Sequence, residues 1–274
     1  MIVHFKGAKI EIENVDEQQF SEIRERLVNQ LGIQSRKRDA ISETFFYAVK
    51  LCPDANPSDV WHHIIYRHFV ALPNKSNSNQ SWVRAGGEAL EVFFERYYNT
   101  LFAEHKIRMR SLIGRLAKRD ALLVMQIPNV GDAKLDTVLE GQTEEGDYQI
   151  FGGAHIKGSL AERISDDEPT SRAMMSKGLF SPLLTLDVKS FPPPRGDLVN
   201  RGELGSIEKP SEKRKYIELH GSFDNCYSYN LRTMPSKPPT PSGKYIKVQG
   251  LKFKEDAFVA DTVSRWETLL KKSA

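Results

Sequence analysis

Two cysteines in 274 residues, Cys52 and Cys226, are too few for a disulfide scaffold and too far apart for a zinc site. Their scarcity points to a reducing compartment, and the cytoplasm is the expected location. Long apolar runs are also missing, and none approaches the roughly 20 residues that cross a bilayer. The N-terminus, MIVHFKGAKIEIE, has no basic stretch followed by a long apolar core, so no signal peptide is evident. Charge of one sign is lacking too. The 39 basic and 36 acidic residues leave a net charge of +3. Such a balance does not announce a nucleic-acid binder. It does not exclude a metallo-nuclease either, because that enzyme needs carboxylates as well as phosphate contacts. No internal repeat is present. A hydrophobic content of 39% fits a globular chain with a sizeable core, built as one large domain or two smaller ones.

The first part of the chain reads as mainly helical. Residues 1–13 alternate as a short hairpin or strand. Asn14 or Asp16 caps a helix through about Leu31, and a second helix spans Asp39 to Cys52. A third follows Asn56-Pro57 and carries VWHHIIYRHFVAL. The polar stretch 73–81, PNKSNSNQS, is the best linker. The division is therefore expected at 77/78: a mainly helical N-terminal domain, 1–77, and a second domain, 78–274. The second part opens with an amphipathic helix that buries Leu90, Phe93, Phe94, Tyr97 and Leu101. Strands are expected at 133–140, 147–157 and LLTLDVKSF, a short helix near 169–177, and an amphipathic helix at the C-terminus. The fold class is α/β in the α+β sense, with a central mixed sheet flanked by helices.

The chemistry concentrates between Ala133 and Asp197. Asp136 lies early in one strand and Lys157 ends the next apolar run, with the turn QTEEGD between them. Such a hairpin returns both residues to one edge of a sheet. A carboxylate and a lysine placed there can hold a divalent metal and activate water for phosphodiester hydrolysis. Glu91, on the helix after Gly86-Gly87, and Glu168 are further candidate acids. Taken singly, each has a plainer reading: Asp136 as a strand-end residue, Lys157 as solvated, Glu91 as an exposed helix position. A rival pair is Asp187 and Lys189, a D-x-K in LLTLDVKSF whose members would share one strand face. His155, not an acid, stands two residues before Lys157. Histidines 62, 63 and 68 lack the i, i+4 spacing of a chelating pair and read as packing or surface residues. Trp61, Tyr66 and Phe69 read as core. The five basic residues from Arg108 to Arg119 suit either phosphate contact or a solvated helix face. Pro192-Pro193-Pro194 is rigid and fixes the loop that carries Arg195.

Taken together and in order, these segments resemble type II restriction endonucleases of the PD-(D/E)xK superfamily, in the group that recognises CCGG. GGEALEVFF is similar to that group's metal-site helix and maps the glutamate to Glu91. KLDTVLEG is similar to its aspartate strand, with Leu135 in the place of the proline. AHIKGSLAER is similar to its lysine strand and recognition segment. LLTLDVKSFPPPR is similar to its next strand, which ends in a second recognition segment. The resemblance implies Lys157, Asp136, Glu91 and Glu168 as catalytic residues, the three acids holding Mg²⁺. It places Glu168 on a later helix, in lieu of an acid two residues before the lysine. It implies Glu162, Arg163, Arg195 and Asp197 as base contacts, and makes Asp187 and Lys189 structural or DNA-proximal. Arg can donate twice to guanine and a carboxylate can accept from cytosine N4. The implied partner is double-stranded DNA with a palindromic site, WCCGGW or ACCGGT, cut by a homodimer, with tetramers also known in the group. Two alternatives stand beside this reading: a sequence-specific DNA-binding protein without cleavage, and a metallohydrolase acting on other substrates through Asp136, Asp187 and Lys189.

Overall fold

The computed structural model describes residues 1–5, 8–72, 78–127, 134–161, 164–190 and 198–273. β1 (Ile2–Phe5) and β2 (Ala8–Glu11) form an antiparallel hairpin. Asp16 caps α1 (Glu17–Ile33). Its carboxylate accepts from the Gln19 amide at 2.7 Å, and the Gln19 side chain accepts from the Asp16 amide at 3.0 Å. The reciprocal pair satisfies donors that a helix start leaves open. Asn14, the other expected cap, bonds instead to the Asp54 carbonyl at 2.9 Å.

α2 (Lys37–Leu51) stops just before Pro53, which disfavours helical backbone in the residue ahead of it. Asn56 caps α3 (Pro57–Asp59), with Pro57 at the first helical position. A π-helical segment (Val60–Tyr66) and α4 (Arg67–Ala71) follow directly. Trp61, Ile64, Ile65 and Phe69 are buried there. Burial lowers the pKa of His62 to about 4 and of His63 to about 3, so both are neutral at pH 7. His63 accepts a hydrogen bond from Arg67 Nε at 3.1 Å, which is a packing role.

α5 (Ser78–Phe102) buries Ala89, Leu90, Phe93, Phe94, Tyr97, Tyr98 and Phe102, a stripe at helical period. Phe93 packs on Phe45 of α2 with ring centroids 4.4 Å apart, and Phe94 packs on Tyr229 at 4.8 Å. One apolar cluster runs from Ile10 through α2 and α5 to Trp266. Residues on both sides of the expected 77/78 division therefore share a core.

β3 (Ile107–Ser111), β4 (Thr137–Gln142) and β5 (Tyr148–Gly152) form an antiparallel ladder, with α6 (Arg115–Val124) between β3 and β4 in sequence. β6 (His155–Lys157), β7 (Leu183–Thr185), β8 (Cys226–Ser228) and β9 (Ile246–Val248) form a parallel one. α7 (Ile164–Ser176) connects β6 to β7, α8 (Glu212–Glu218) precedes β8, and α9 (Ala257–Ser273) closes the chain. The strand expected at 147–157 is thus two strands that belong to two ladders. The break falls at Gly152-Gly153. A Cβ on Gly152 would lie 2.4 Å from the Phe180 carbonyl oxygen, and one on Gly153 would lie 2.7 Å from that of Thr137. Only glycine allows backbone to approach this closely, and there the two ladders meet.

Candidate active site

Asp136 directly precedes β4. The Thr137 amide donates to the Ala154 carbonyl at 3.2 Å, so the start of β4 lies beside the start of β6. Asp136 Oδ2 then accepts from the Ile156 amide at 2.8 Å, in the place a strand carbonyl would take. One residue on, Lys157 Nζ donates to the same oxygen at 3.0 Å. The expected convergence of Asp136 and Lys157 is therefore present, and an amide between them fixes it. Lys157 also lies 2.8 Å from Asp167 Oδ2, which arrives from the first turns of α7. Lys118 of α6 reaches Asp136 Oδ1 at 3.4 Å.

Glu168, the acid expected from this helix, points elsewhere. It accepts from Arg172 Nε at 2.7 Å and from Ser222 Oγ at 2.9 Å. Successive helical residues differ by roughly 100° in direction, so a one-residue offset decides which acid faces the lysine. Asp167 is the acid that faces it. His155 packs behind, with Nε2 3.2 Å from Ser181 Oγ and Nδ1 3.9 Å from Asp167. Burial holds His155 below its ordinary pKa.

The charges are strongly coupled. Burial opposes ionisation of Asp136, but Lys157, Lys118 and the Ile156 amide outweigh it and hold the carboxyl below its usual range. Burial likewise opposes the charge on Lys157, and Asp136 and Asp167 outweigh it, so the amine stays protonated. Burial raises the pKa of Asp167, against the pull of Lys157. Glu91 of α5 is pushed up to about 8, by burial first and by the Asp136 charge second.

These donors suit a hard cation. Among the described residues, Asp136 Oδ1 meets the Lys118 ammonium at 3.4 Å, and Asp167 Oδ1 is buried with no hydrogen-bond donor. Among the described residues no three His, Cys, Asp or Glu side chains already converge on one point. Mg²⁺ does not need three, because one or two carboxylates with water and substrate phosphate complete its shell.

Comparison with known proteins bears on the chain as a whole. No protein-family model matches the chain. The type II restriction enzyme AgeI of Thalassovita gelatinovora is 49% identical over 261 residues, which cover 92% of each chain. The chain belongs to the type II restriction endonucleases. A crystal structure of a specific complex of restriction endonuclease AgeI with DNA superimposes with a TM-score of 0.90 at 45% identity. That match covers 97% of this chain and 99% of the other. A pre-specific BsaWI–DNA complex gives a TM-score of 0.49 at 16% identity over 93% of this chain and 92% of the other.

In this endonuclease the rival pair is not brought together. Asp187 is fully buried with φ of 50°, and it accepts from the Glu203 amide at 2.5 Å and from Thr233 Oγ1 at 2.6 Å. Lys189 is exposed. The left-handed residue ends the two-residue alternation that would have put both on one face. Arg108 and Arg110 of the basic run are engaged by Glu140, at 2.6 and 2.8 Å. The expected base contacts Glu162, Arg163, Arg195 and Asp197 lie outside the described residues. Sequence reasoning did not single out Asp167 or Lys118, which the structure brings to Lys157 and Asp136. The Asp166-Asp167-Glu168 run was a signal that an acid would face the lysine, but not which one. Lys118 gave no signal beyond its place in the basic run.

Proposed function

We propose that this restriction endonuclease is Mg²⁺-dependent and cleaves duplex DNA at a palindromic CCGG-containing site, ACCGGT or WCCGGW, as a homodimer in which each protomer cuts one strand. The observation that carries the catalytic reading is the buried Asp136–Lys157–Asp167 constellation beside Glu91. Asp136 and Glu91 are the metal-holding acids, with Asp167 in the role first given to Glu168. When bound, the ion supplies a Lewis acid at the phosphate and favours ionisation of water. Lys157, held cationic by two carboxylates, balances charge that builds on the phosphate and orients the attacking water. The carboxylates of Asp136 and Asp167 keep its amine protonated. Ile156 and Lys157 together fix Asp136 in one rotamer, which keeps the attack geometry narrow. Glu162, Arg163, Arg195 and Asp197 contact bases, and the helical part before residue 72 supports the DNA-binding face or the dimer.

Incubating purified protein with a long mixed-sequence DNA, with and without Mg²⁺, and sequencing the ends tests this reading. Discrete Mg²⁺-dependent fragments with CCGG-derived termini are expected. Binding without a cleaved product under any divalent metal would replace it with the non-catalytic DNA-binding reading.

A pH dependence follows from Glu91. Its pKa of about 8, against an ordinary 4.5, leaves it protonated at pH 7. A carboxyl must lose that proton to ligate a cation, so cation affinity should rise with pH up to about pH 8, with a proton released on binding. In the metal-free protein the same group favours the fold below 4.5, and that contribution is lost as pH rises through 8. Calorimetric titration with Ca²⁺ in buffers of different ionisation enthalpy reads the proton directly. Glu91→Gln should abolish its release, and an unchanged release would assign the proton to another group.

A further inference from the structure

Glu203 is almost fully buried, yet no part of the catalytic constellation uses it. Its Oε1 accepts from Ser159 Oγ at 2.5 Å and from the Leu160 amide at 3.0 Å. Its Oε2 is paired with Lys213 of α8. Its amide donates to Asp187 Oδ1 at 2.5 Å. Gly202, next to it, presses so closely on Asp187 that a Cβ would lie 2.3 Å from Oδ2. The two sides of this clamp carry different stretches of chain. Ser159 and Leu160 follow Lys157 and lead directly to residues 162–163. Asp187 leads through Ser190 to the stretch 191–197. Ser190 Oγ donates to the Val199 carbonyl at 2.7 Å and accepts from the Arg201 amide at 2.8 Å, so the flanks of that stretch are tied together. The strand exits are joined as well. The Leu186 amide donates to the Lys157 carbonyl at 3.0 Å, and the Val188 amide to that of Gly158 at 3.1 Å.

A buried carboxylate is costly unless every oxygen is matched, and here both are. A plain surface ion pair would need no such arrangement. Glu203 grips the lysine strand's exit while its own backbone is anchored on the exit of the neighbouring strand. We propose that Glu203 is a specificity-determining positioning residue: it holds Ser159–Leu160 and Asp187, from which the chain runs on to the two DNA-reading stretches, in fixed relation to each other and to Lys157. The inference rests on the reading of Glu162, Arg163, Arg195 and Asp197 as base contacts. Sequence recognition needs both stretches placed together, whereas strand scission needs only the metal site. Loosening the clamp therefore costs discrimination more than it costs rate.

The test is the ratio of kcat/KM on the cognate duplex to kcat/KM on duplexes changed at one base pair. It is measured for wild type, Glu203→Ala, Glu203→Gln and Ser159→Ala, with thermal melting recorded for each. Glu203→Ala should lower the ratio by about tenfold or more, the scale of one misplaced base contact. Glu203→Gln keeps the acceptor for Ser159 and Leu160 and should stay within about threefold of wild type. Ser159→Ala removes one arm only and should give a smaller loss of the same sign, which keeps the test open should Glu203→Ala fail to fold. An unchanged ratio in folded Glu203→Ala, or in Ser159→Ala where Glu203→Ala does not fold, would overturn the proposal. Wild-type cleavage at a site without CCGG would overturn the target assignment instead, and the ratio would then be taken at that site.

Discussion

Lys157→Met should reduce single-turnover cleavage by about a thousandfold or more, the scale seen when a preorganised charge or proton-handling group is removed. Methionine keeps the length and apolar stem of the side chain, so the loss isolates the ammonium. That ammonium lies 3.0 Å from Asp136 and 2.8 Å from Asp167, and without it two buried carboxylates lose the cation they share, leaving Lys118 beside Asp136. One of them will take up a proton, because neighbouring like charges cannot both ionise cheaply. Breaking such a buried pair also costs stability, about 3–5 kcal/mol. Cleavage should therefore be measured well below the melting transition, alongside DNA binding in Ca²⁺. Lys189→Met, at an exposed position, should cleave at close to the wild-type rate. Cleavage by Lys157→Met within tenfold of wild type would remove the lysine from the reaction and return attention to Lys189.

The second large effect distinguishes two adjacent acids. Asp167→Asn should slow cleavage by about a hundredfold or more, since it removes half of the negative charge that holds Lys157 cationic and one candidate metal oxygen. Glu168→Gln should leave the rate within about threefold and lower the melting temperature slightly, through its bonds to Arg172 and Ser222. Rates at saturating Mg²⁺ decide the matter. A slow Glu168→Gln beside a fast Asp167→Asn would restore Glu168 to the metal site and demand a rotation of α7 on binding DNA.

The convergence of Asp136 and Lys157 was legible because its signals are local. Asp136 and Lys157 are charged residues at the ends of apolar runs joined by a turn, and a hairpin brings such ends together. The choice between Asp167 and Glu168 was not legible, because it depends on the rotation of α7 about its axis, which tertiary packing sets. The D-x-K at Asp187 could be set aside only through the family resemblance, because its own segment reads as a strand with both residues on one face. A strand reading assumes that alternation continues, and nothing in LLTLDVKSF announces the left-handed backbone at its aspartate. β3 was missed although its signal was present: Ile107 and Met109 are buried between the outward Arg108 and Arg110. The placement of α1, α2 and α5 was readable because the Asp16 cap, the stop before Pro53 and helical periodicity are properties of the segments themselves.

The apolar cluster that spans α2, α5 and the sheet bears on how this enzyme tolerates cleavage of its own backbone. Phe45 and Phe93 meet across the stretch 73–77, and the ends of the chain contribute Ile10 and Trp266 to the same interior. Interlocked side chains, more than the covalent connection, hold the two pieces together. A protease nick within 73–77 should thus be silent, leaving fragments that co-elute until denaturant separates them. Two fragments split there and produced in one cell should reassemble through that shared interior.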